Sequence, residues 1–285
     1  MSVQTSLHDS ATTAFADLAD GRRFAYRRFG VGAGGAVPLL MLHHFRATMD
    51  FWDPAVTDGL AASREVILVD NAGLGASTGD TPTDVETMAE DISAFLDALG
   101  LDRADVLGFS LGGMVAQPLA AAEPDRVRRV VLVGTGPQGG ENMQLTPDVV
   151  AAATTPEPGA EQLLYLFYAP TQTSQGAGAA SLGRIFRRAA REPMPEEKVL
   201  RAQGQAITVW ATVPSTNRYA MLEDIRQPVL VVNGHHDIMV PTVNAFILQQ
   251  HLPDAQLVLY PDSGHGSLFQ YPDRFVDDVT KFLDR

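Results

Sequence analysis

Three short and almost wholly apolar runs mark the first half of the chain, at Pro38–Leu42, Glu65–Val69 and Ala104–Leu107, and a fourth follows at Val127–Val133. Each has the length of a strand, is too short for a helix, and does not alternate with polar residues. Such runs predict strands buried on both faces of a sheet. Between the second and third, Met88, Ile92, Phe95, Leu96 and Leu99 recur at helical spacing, which predicts a helix from Asp84 to Leu99 stopped at Gly100. Strands that alternate with helices predict a mostly parallel sheet covered by helices on both faces. Ahead of these runs, Ala14–Leu18 and Arg22–Phe29 read as strands joined by a hairpin at Asp20-Gly21, and Gly30–Ala36 reads as a glycine-rich loop.

After Gly136-Pro137 the rhythm changes. From Gln138 to about Ser215 the chain offers helical pieces separated by proline and glycine, and no convincing strand. Leu163, Leu164, Phe167 and Tyr168 form one apolar patch at helical spacing, and Leu182, Ile185 and Phe186 form another. The alternation resumes with a strand at Pro228–Val232, a helix near Val243–Leu252, a strand at Gln256–Tyr260 and a last helix from about Phe269 to Leu283. This pattern predicts a single α/β core made of residues 14–137 and 216–285. It is interrupted by a helical insertion, 138–215, lying over the sheet edge as a lid. The polar residues 1–13 are expected to be disordered. The chain shows no internal repeat and no low-complexity tract.

Composition narrows the picture. A length of 285 residues is enough to bury one large core. The formal net charge of −13 argues against nucleic acid or an anionic membrane as partner, since both need a basic face. With no cysteine, disulfides, thiolate metal sites and a cysteine nucleophile are excluded. No apolar stretch approaches the ~20 residues needed to cross a bilayer. The start of the chain lacks the basic and apolar segments of a signal peptide, so a cytoplasmic, soluble protein is expected. No feature points to an oligomeric state.

The strongest chemical signal is Gly108-Phe109-Ser110-Leu111-Gly112. It follows the apolar run Ala104–Leu107 and precedes Gly113–Gln117, which reads as the start of a helix. A serine at such a strand-to-helix elbow has its hydroxyl pushed clear of the sheet, and the flanking glycines let neighbouring backbone pass without a Cβ clash. A serine hydroxyl still needs a base, and the base needs a third group to hold its tautomer. Candidates follow the next two strands: Asp237 in Asn233-Gly234-His235-His236-Asp237, and His265 in Ser263-Gly264-His265-Gly266. All three thus lie beyond the C-terminal ends of strands, where open α/β sheets place their sites. Asp262 competes for the acid role, although three residues before His265 it would more naturally shape a turn. Ser263 has no elbow around it.

These motifs resemble the α/β-hydrolase superfamily, in its esterase-like branch with an inserted helical cap. Gly108–Gly112 is similar to that family's nucleophile elbow, Asp70–Ser77 to its D-x-R-G-x-G-x-S loop, His43-His44-Phe45 to its H-G-x segment, and Gly264-His265 to its histidine loop. Two positions depart from the pattern, His44 standing for the glycine of H-G-x and Ala72 for the arginine of D-x-R-G. The resemblance implies an eight-stranded, mostly parallel sheet. It also implies Ser110 as nucleophile, Asp237 as orienting acid and His265 as general base and then acid. The oxyanion hole would be the backbone N–H groups of Phe45 and Leu111. Where some relatives carry the acid after the sixth strand, this chain has Gly134-Thr135-Gly136-Pro137.

His44, Phe167 and Trp210 are the candidates for a substrate pocket, with Tyr168, Phe186 and Met143 behind them. A metal reading of His43, His44, His235 and His236 finds no helical ligand pair. A dinucleotide reading of Gly73-Leu74-Gly75 fails because loop, not helix, follows it. The expected activity is cofactor-free hydrolysis of a small or medium carboxylic ester or lactone through an acyl-enzyme. The same triad would also serve carbon–carbon bond hydrolysis or cofactor-free perhydrolysis, and a ligand receptor built on this fold is the alternative outside enzymology.

Overall fold

The computed structural model describes residues 6–31 and 37–285. Most of the predicted glycine-rich loop and residues 1–5 of the N-terminal segment lie outside the described residues. A short helix, α1 (Leu7–Ser10), leads into the hairpin β1 (Ala14–Asp17) and β2 (Arg23–Gly30), which is followed by β3 (Leu39–Leu42). Helix α2 (Pro54–Ala61) and β4 (Glu65–Val69) come next, then α3 (Val85–Ala98), β5 (Ala104–Phe109), α4 (Leu111–Ala122) and β6 (Val127–Val133). Helices α5 (Pro147–Ala153), α6 (Ala160–Phe167), α7 (Gln172–Ile185), α8 (Glu197–Ala211) and α9 (Ala220–Asp224) fill the connection to β7 (Val229–Gly234). The chain closes with α10 (Val243–His251), β8 (Ala255–Tyr260), α11 (Ser267–Gln270) and α12 (Pro272–Leu283).

The strands make one eight-stranded sheet in the order β1-β2-β4-β3-β5-β6-β7-β8. β2 is antiparallel to β1 and β4, and every other neighbouring pair is parallel. The period of two sorts each apolar run onto both faces. Leu40, Leu42, Ile67, Val69 and Val106 join the cluster that also holds residues of α3, α4 and α10. Leu39, Met41, Val66, Leu68, Leu107 and Phe109 join the cluster with α2 and α12. Unbroken rather than alternating hydrophobicity is thus what a doubly covered parallel sheet requires.

Helix α3 starts as its sequence indicates, with Asp84 accepting a hydrogen bond from the Thr87 amide, and ends before Gly100 at φ 63°. Three features depart from the sequence reading. The last helix is two, because Pro272 has no N–H to continue α11 and instead opens α12. α2 has no counterpart in that reading; its buried residues are Pro54, Val56, Thr57, Leu60 and Ala61, a short apolar face over two turns.

The third correction concerns residues 6–13, which are ordered rather than disordered. His8 is buried, its amide donates to Asp58 Oδ1 at 2.8 Å and its Nδ1 lies 3.1 Å from Thr57 Oγ1. The Arg188 guanidinium donates to the carbonyls of His8, Asp9 and Ala11 at 3.0, 2.6 and 2.9 Å. A segment poor in apolar residues is held here by hydrogen bonds from α2 and from the distant α7–α8 connection.

Candidate active site

β5 delivers Ser110 to the top of the sheet in a conformation that L-residues rarely adopt, φ 56° and ψ −116°. Backbone held this way costs about 1–3 kcal/mol and persists only where its surroundings over-determine it. Here the Ser110 amide donates to the Val133 carbonyl at 2.8 Å. Its own carbonyl accepts from the Gly113 and Met114 amides and from Thr135 Oγ1 at 2.9 Å. The two glycines are required by contact. A Cβ on Gly108 would lie 2.3 Å from the Gly112 carbonyl oxygen, and one on Gly112 would lie 2.1 Å from that of Leu42.

The loops after β7 and β8 bring Asp237 to His265. His265 Nδ1 lies 2.8 Å from Asp237 Oδ2. A carboxylate only accepts, so Nδ1 carries the proton and Nε2 presents its lone pair. The other carboxylate oxygen accepts from the Met239 and Val240 amides, both at 2.9 Å, which fixes the group's orientation. His265 Nε2 is buried with no partner among the described residues. The two loops touch so closely that a Cβ on Gly234 would stand 2.0 Å from the Gly264 carbonyl oxygen. Gly134 faces the imidazole in turn, its Cβ position 3.2 Å from the ring, so the place where some relatives carry an acid here makes room for the base. Asp262 turns away, at φ 49°, and accepts from Thr171 Oγ1 at 3.0 Å, while Ser263 Oγ donates to the Tyr260 carbonyl.

Facing the elbow is the loop after β3. Phe45 lines the same cleft as Ser110 and His265. Leu111 opens α4, so its N–H has no intrahelical acceptor and sits at the positive end of the helix dipole. Neither amide donates to another group among the described residues. The loop is fastened from below. Buried Asp70 accepts from the Met49 amide at 2.7 Å, and buried Asp50 accepts from Arg27 Nη1 at 2.5 Å and from the Glu192 amide. Burial pushes the Asp70 carboxyl well above the usual carboxylate range. Arg46, at φ 53°, ties the loop to α5 by donating to the carbonyls of Ala153, Thr155 and Pro156 at 2.9, 2.6 and 2.8 Å.

The cleft holds about 480 Å³ of empty space and is bounded by this loop, the elbow and the helices inserted between β6 and β7. A smaller chamber, about 290 Å³ counting the solvent it opens to, adjoins it, shares His44, Phe51, Leu163 and Phe167, and is further lined by Tyr168, Leu182, Ile185 and Phe269. Of the pocket residues singled out in the sequence, His44 and Phe167 line both spaces. Trp210 lines neither. It packs in the cluster on the α3–α4 face, where its indole N–H donates to the Gly136 carbonyl at 3.1 Å. Tyr168 lines the smaller chamber, Met143 joins the core beside Trp210, and Phe186 is largely exposed. Arg46, Phe51, Met194 and Met239 line the cleft without having been singled out. Position was the available signal for Arg46, next to Phe45, and Met239, two residues past Asp237. Of the four histidines weighed as metal ligands, His43 and His44 are buried beside the cleft, and His235 and His236 are exposed and pack edge to face.

This sheet, elbow and pair of loops are those of a hydrolase class. The chain belongs to the alpha/beta hydrolase fold family, whose model matches residues 37–272. It is 31% identical over 257 residues to a pimeloyl-[acyl-carrier protein] methyl ester esterase of Nitrosomonas europaea, covering 85% of this chain and 94% of that one. Among solved structures it resembles an alpha/beta hydrolase fold protein from Chitinophaga pinensis, with 40% identity, a TM-score of 0.90 and coverage of 97% and 98%. It also resembles Est816, described as an N-acyl homoserine lactone degrading enzyme, with 26% identity, a TM-score of 0.73 and coverage of 94% and 100%. No helix among the described residues is long and apolar enough to cross a membrane.

Proposed function

We propose that the chain is a serine hydrolase that cleaves a small or medium carboxylic ester or lactone, with Ser110, His265 and Asp237 as its triad. The observation that carries this reading is the 2.8 Å His265–Asp237 contact beside a strained serine elbow in one cleft. Ser110 Oγ attacks the ester carbonyl while His265 Nε2 takes its proton. Asp237 holds the Nδ1–H tautomer and stabilises the imidazolium that forms. The oxyanion sits between the amides of Leu111 and Phe45; each such donor is worth about 3–4 kcal/mol in the transition state. His265 then hands its proton to the departing alkoxide, and in the second half it activates the water that cleaves the acyl-enzyme.

The helices between β6 and β7 act as the lid of this cleft, and Phe51, Leu163 and Phe167 favour an apolar substituent on the substrate. The ester-cleaving and lactone-degrading relatives support the same substrate class. No cofactor enters any step. The test is steady-state kinetics on p-nitrophenyl esters of graded chain length. Turnover is expected for the wild type, and Ser110→Ala and His265→Ala are each expected to lower kcat by several orders of magnitude. Equal turnover by Ser110→Ala would refute the assignment.

A further inference from the structure

His44 stands where the family's H-G-x motif has glycine, so its imidazole is an addition to the site wall. Its Nδ1 lies 2.9 Å from the Phe45 carbonyl oxygen. A carbonyl only accepts, so Nδ1 is the protonated nitrogen and Nε2 is an acceptor. The ring is neutral, its pKa lowered to about 3 by burial and by neighbouring His43 and His265. Nε2 has no partner among the described residues. It also differs from Nε2 of His43, which is buried without a partner. Solvent space in the cleft therefore reaches this lone pair.

The surroundings of this acceptor are otherwise apolar. The His44 ring packs edge-on against Phe51, Phe109 and Phe167, at centroid distances of 6.1, 5.2 and 5.0 Å. Phe109 and Phe167 also pack against His265, at 5.0 and 5.5 Å, so the two imidazoles share one aromatic wall. Ser110 and His265 line the larger cleft alone, whereas His44 lines both that cleft and the smaller chamber. A substrate whose carbonyl lies at Ser110 and whose chain runs into the chamber passes His44, which lines both spaces. An apolar chain would leave the acceptor unsatisfied among aromatic rings, at a cost comparable to a lost hydrogen bond.

We propose, resting on the serine-hydrolase reading, that His44 is a specificity residue: its Nε2 accepts a hydrogen bond from a hydroxyl near the scissile carbonyl of the acyl chain, selecting hydroxyacyl over plain acyl esters. The probes are methyl octanoate and each enantiomer of methyl 3-hydroxyoctanoate. Calorimetry on the Ser110→Ala variant measures binding without consuming them. At least one hydroxy ester is expected to bind about tenfold tighter than methyl octanoate. His44→Phe in the same background is expected to bring the two within about twofold, and His44→Gln, which keeps an acceptor, to restore part of the preference.

Equal binding of the three esters by Ser110→Ala overturns the proposal even where the double variants fail to fold, and so does a preference that survives His44→Phe. Turnover by the wild type is read separately. A wild type that hydrolyses none of these esters and no p-nitrophenyl ester, with a His44-dependent binding preference intact, removes the hydrolase reading and leaves the contact standing. Hydrolysis of all three with equal binding does the reverse.

Discussion

His265 Nδ1 and Asp237 Oδ2 stand 2.8 Å apart across 28 residues of chain, joined by loops from two adjacent strands. Only one histidine tautomer satisfies this contact. Asp237→Asn can present an amide N–H to Nδ1 and so favour the tautomer with Nε2 protonated, which cannot take the Ser110 proton. A fall in kcat of about 10³–10⁴-fold with little change in KM is expected on a p-nitrophenyl ester. A variant with wild-type kcat would show that Asp237 does not orient the base.

Gly112 allows the elbow to approach β3. In Gly112→Ala the added Cβ would stand 2.1 Å from the Leu42 carbonyl oxygen, a backbone atom at the centre of the sheet. Overpacking of this kind costs about 1–3 kcal/mol or more, visible as a lower urea midpoint. Gly183, inside α7, has nothing within 4 Å of its Cβ position. Gly183→Ala is expected to raise stability by up to about 1 kcal/mol, because alanine is the better helix former. Equal unfolding midpoints for the two variants would contradict this account.

His8 makes the docked N-terminal segment sensitive to acid. Burial, and then the Arg27 charge, lower its pKa from 6.5 to about 4. Between those values the unfolded chain binds the proton and the folded chain does not. The neutral-His8 contribution is therefore complete above pH 6.5, declines as pH falls and is lost below about 4. The full shift corresponds to on the order of 3 kcal/mol. Burial lowers His43 and His44 in the same direction, so the informative quantity is the difference between the wild type and His8→Gln. Denaturant unfolding from neutral pH down to pH 4 is expected to show a shallower loss in the variant. Parallel curves would place the acid sensitivity elsewhere.

The sheet was legible in the sequence because strands covered on both faces are apolar throughout, and Leu39–Leu42, Val66–Val69 and Val130–Val133 are apolar runs of strand length. Ser110, Asp237 and His265 were legible because each follows such a strand, so strand order alone brings them together. The pairing of His265 with Asp237 rather than Asp262 follows from a left-handed turn at Asp262, which local sequence only hints at. The docking of residues 6–13 carries no periodic signal, since Arg188 grips backbone carbonyls that every sequence possesses. Trp210 was a natural pocket candidate by size and neighbourhood. Which face of the sheet it joins is decided by the path of α8, and that path brings its indole to Gly136. Arg27, a charge within β2, is buried because Asp50 and Glu192 cover it, a pairing that strand periodicity does not signal.

The central claim is that Ser110 is the nucleophile. Incubation with a fluorophosphonate followed by peptide mapping tests it most directly, since the probe reacts with an activated serine irrespective of the natural substrate. A single adduct on Ser110 is expected, absent in His265→Ala and in Ser110→Ala. An adduct on another residue, or none on a folded protein, would contradict it.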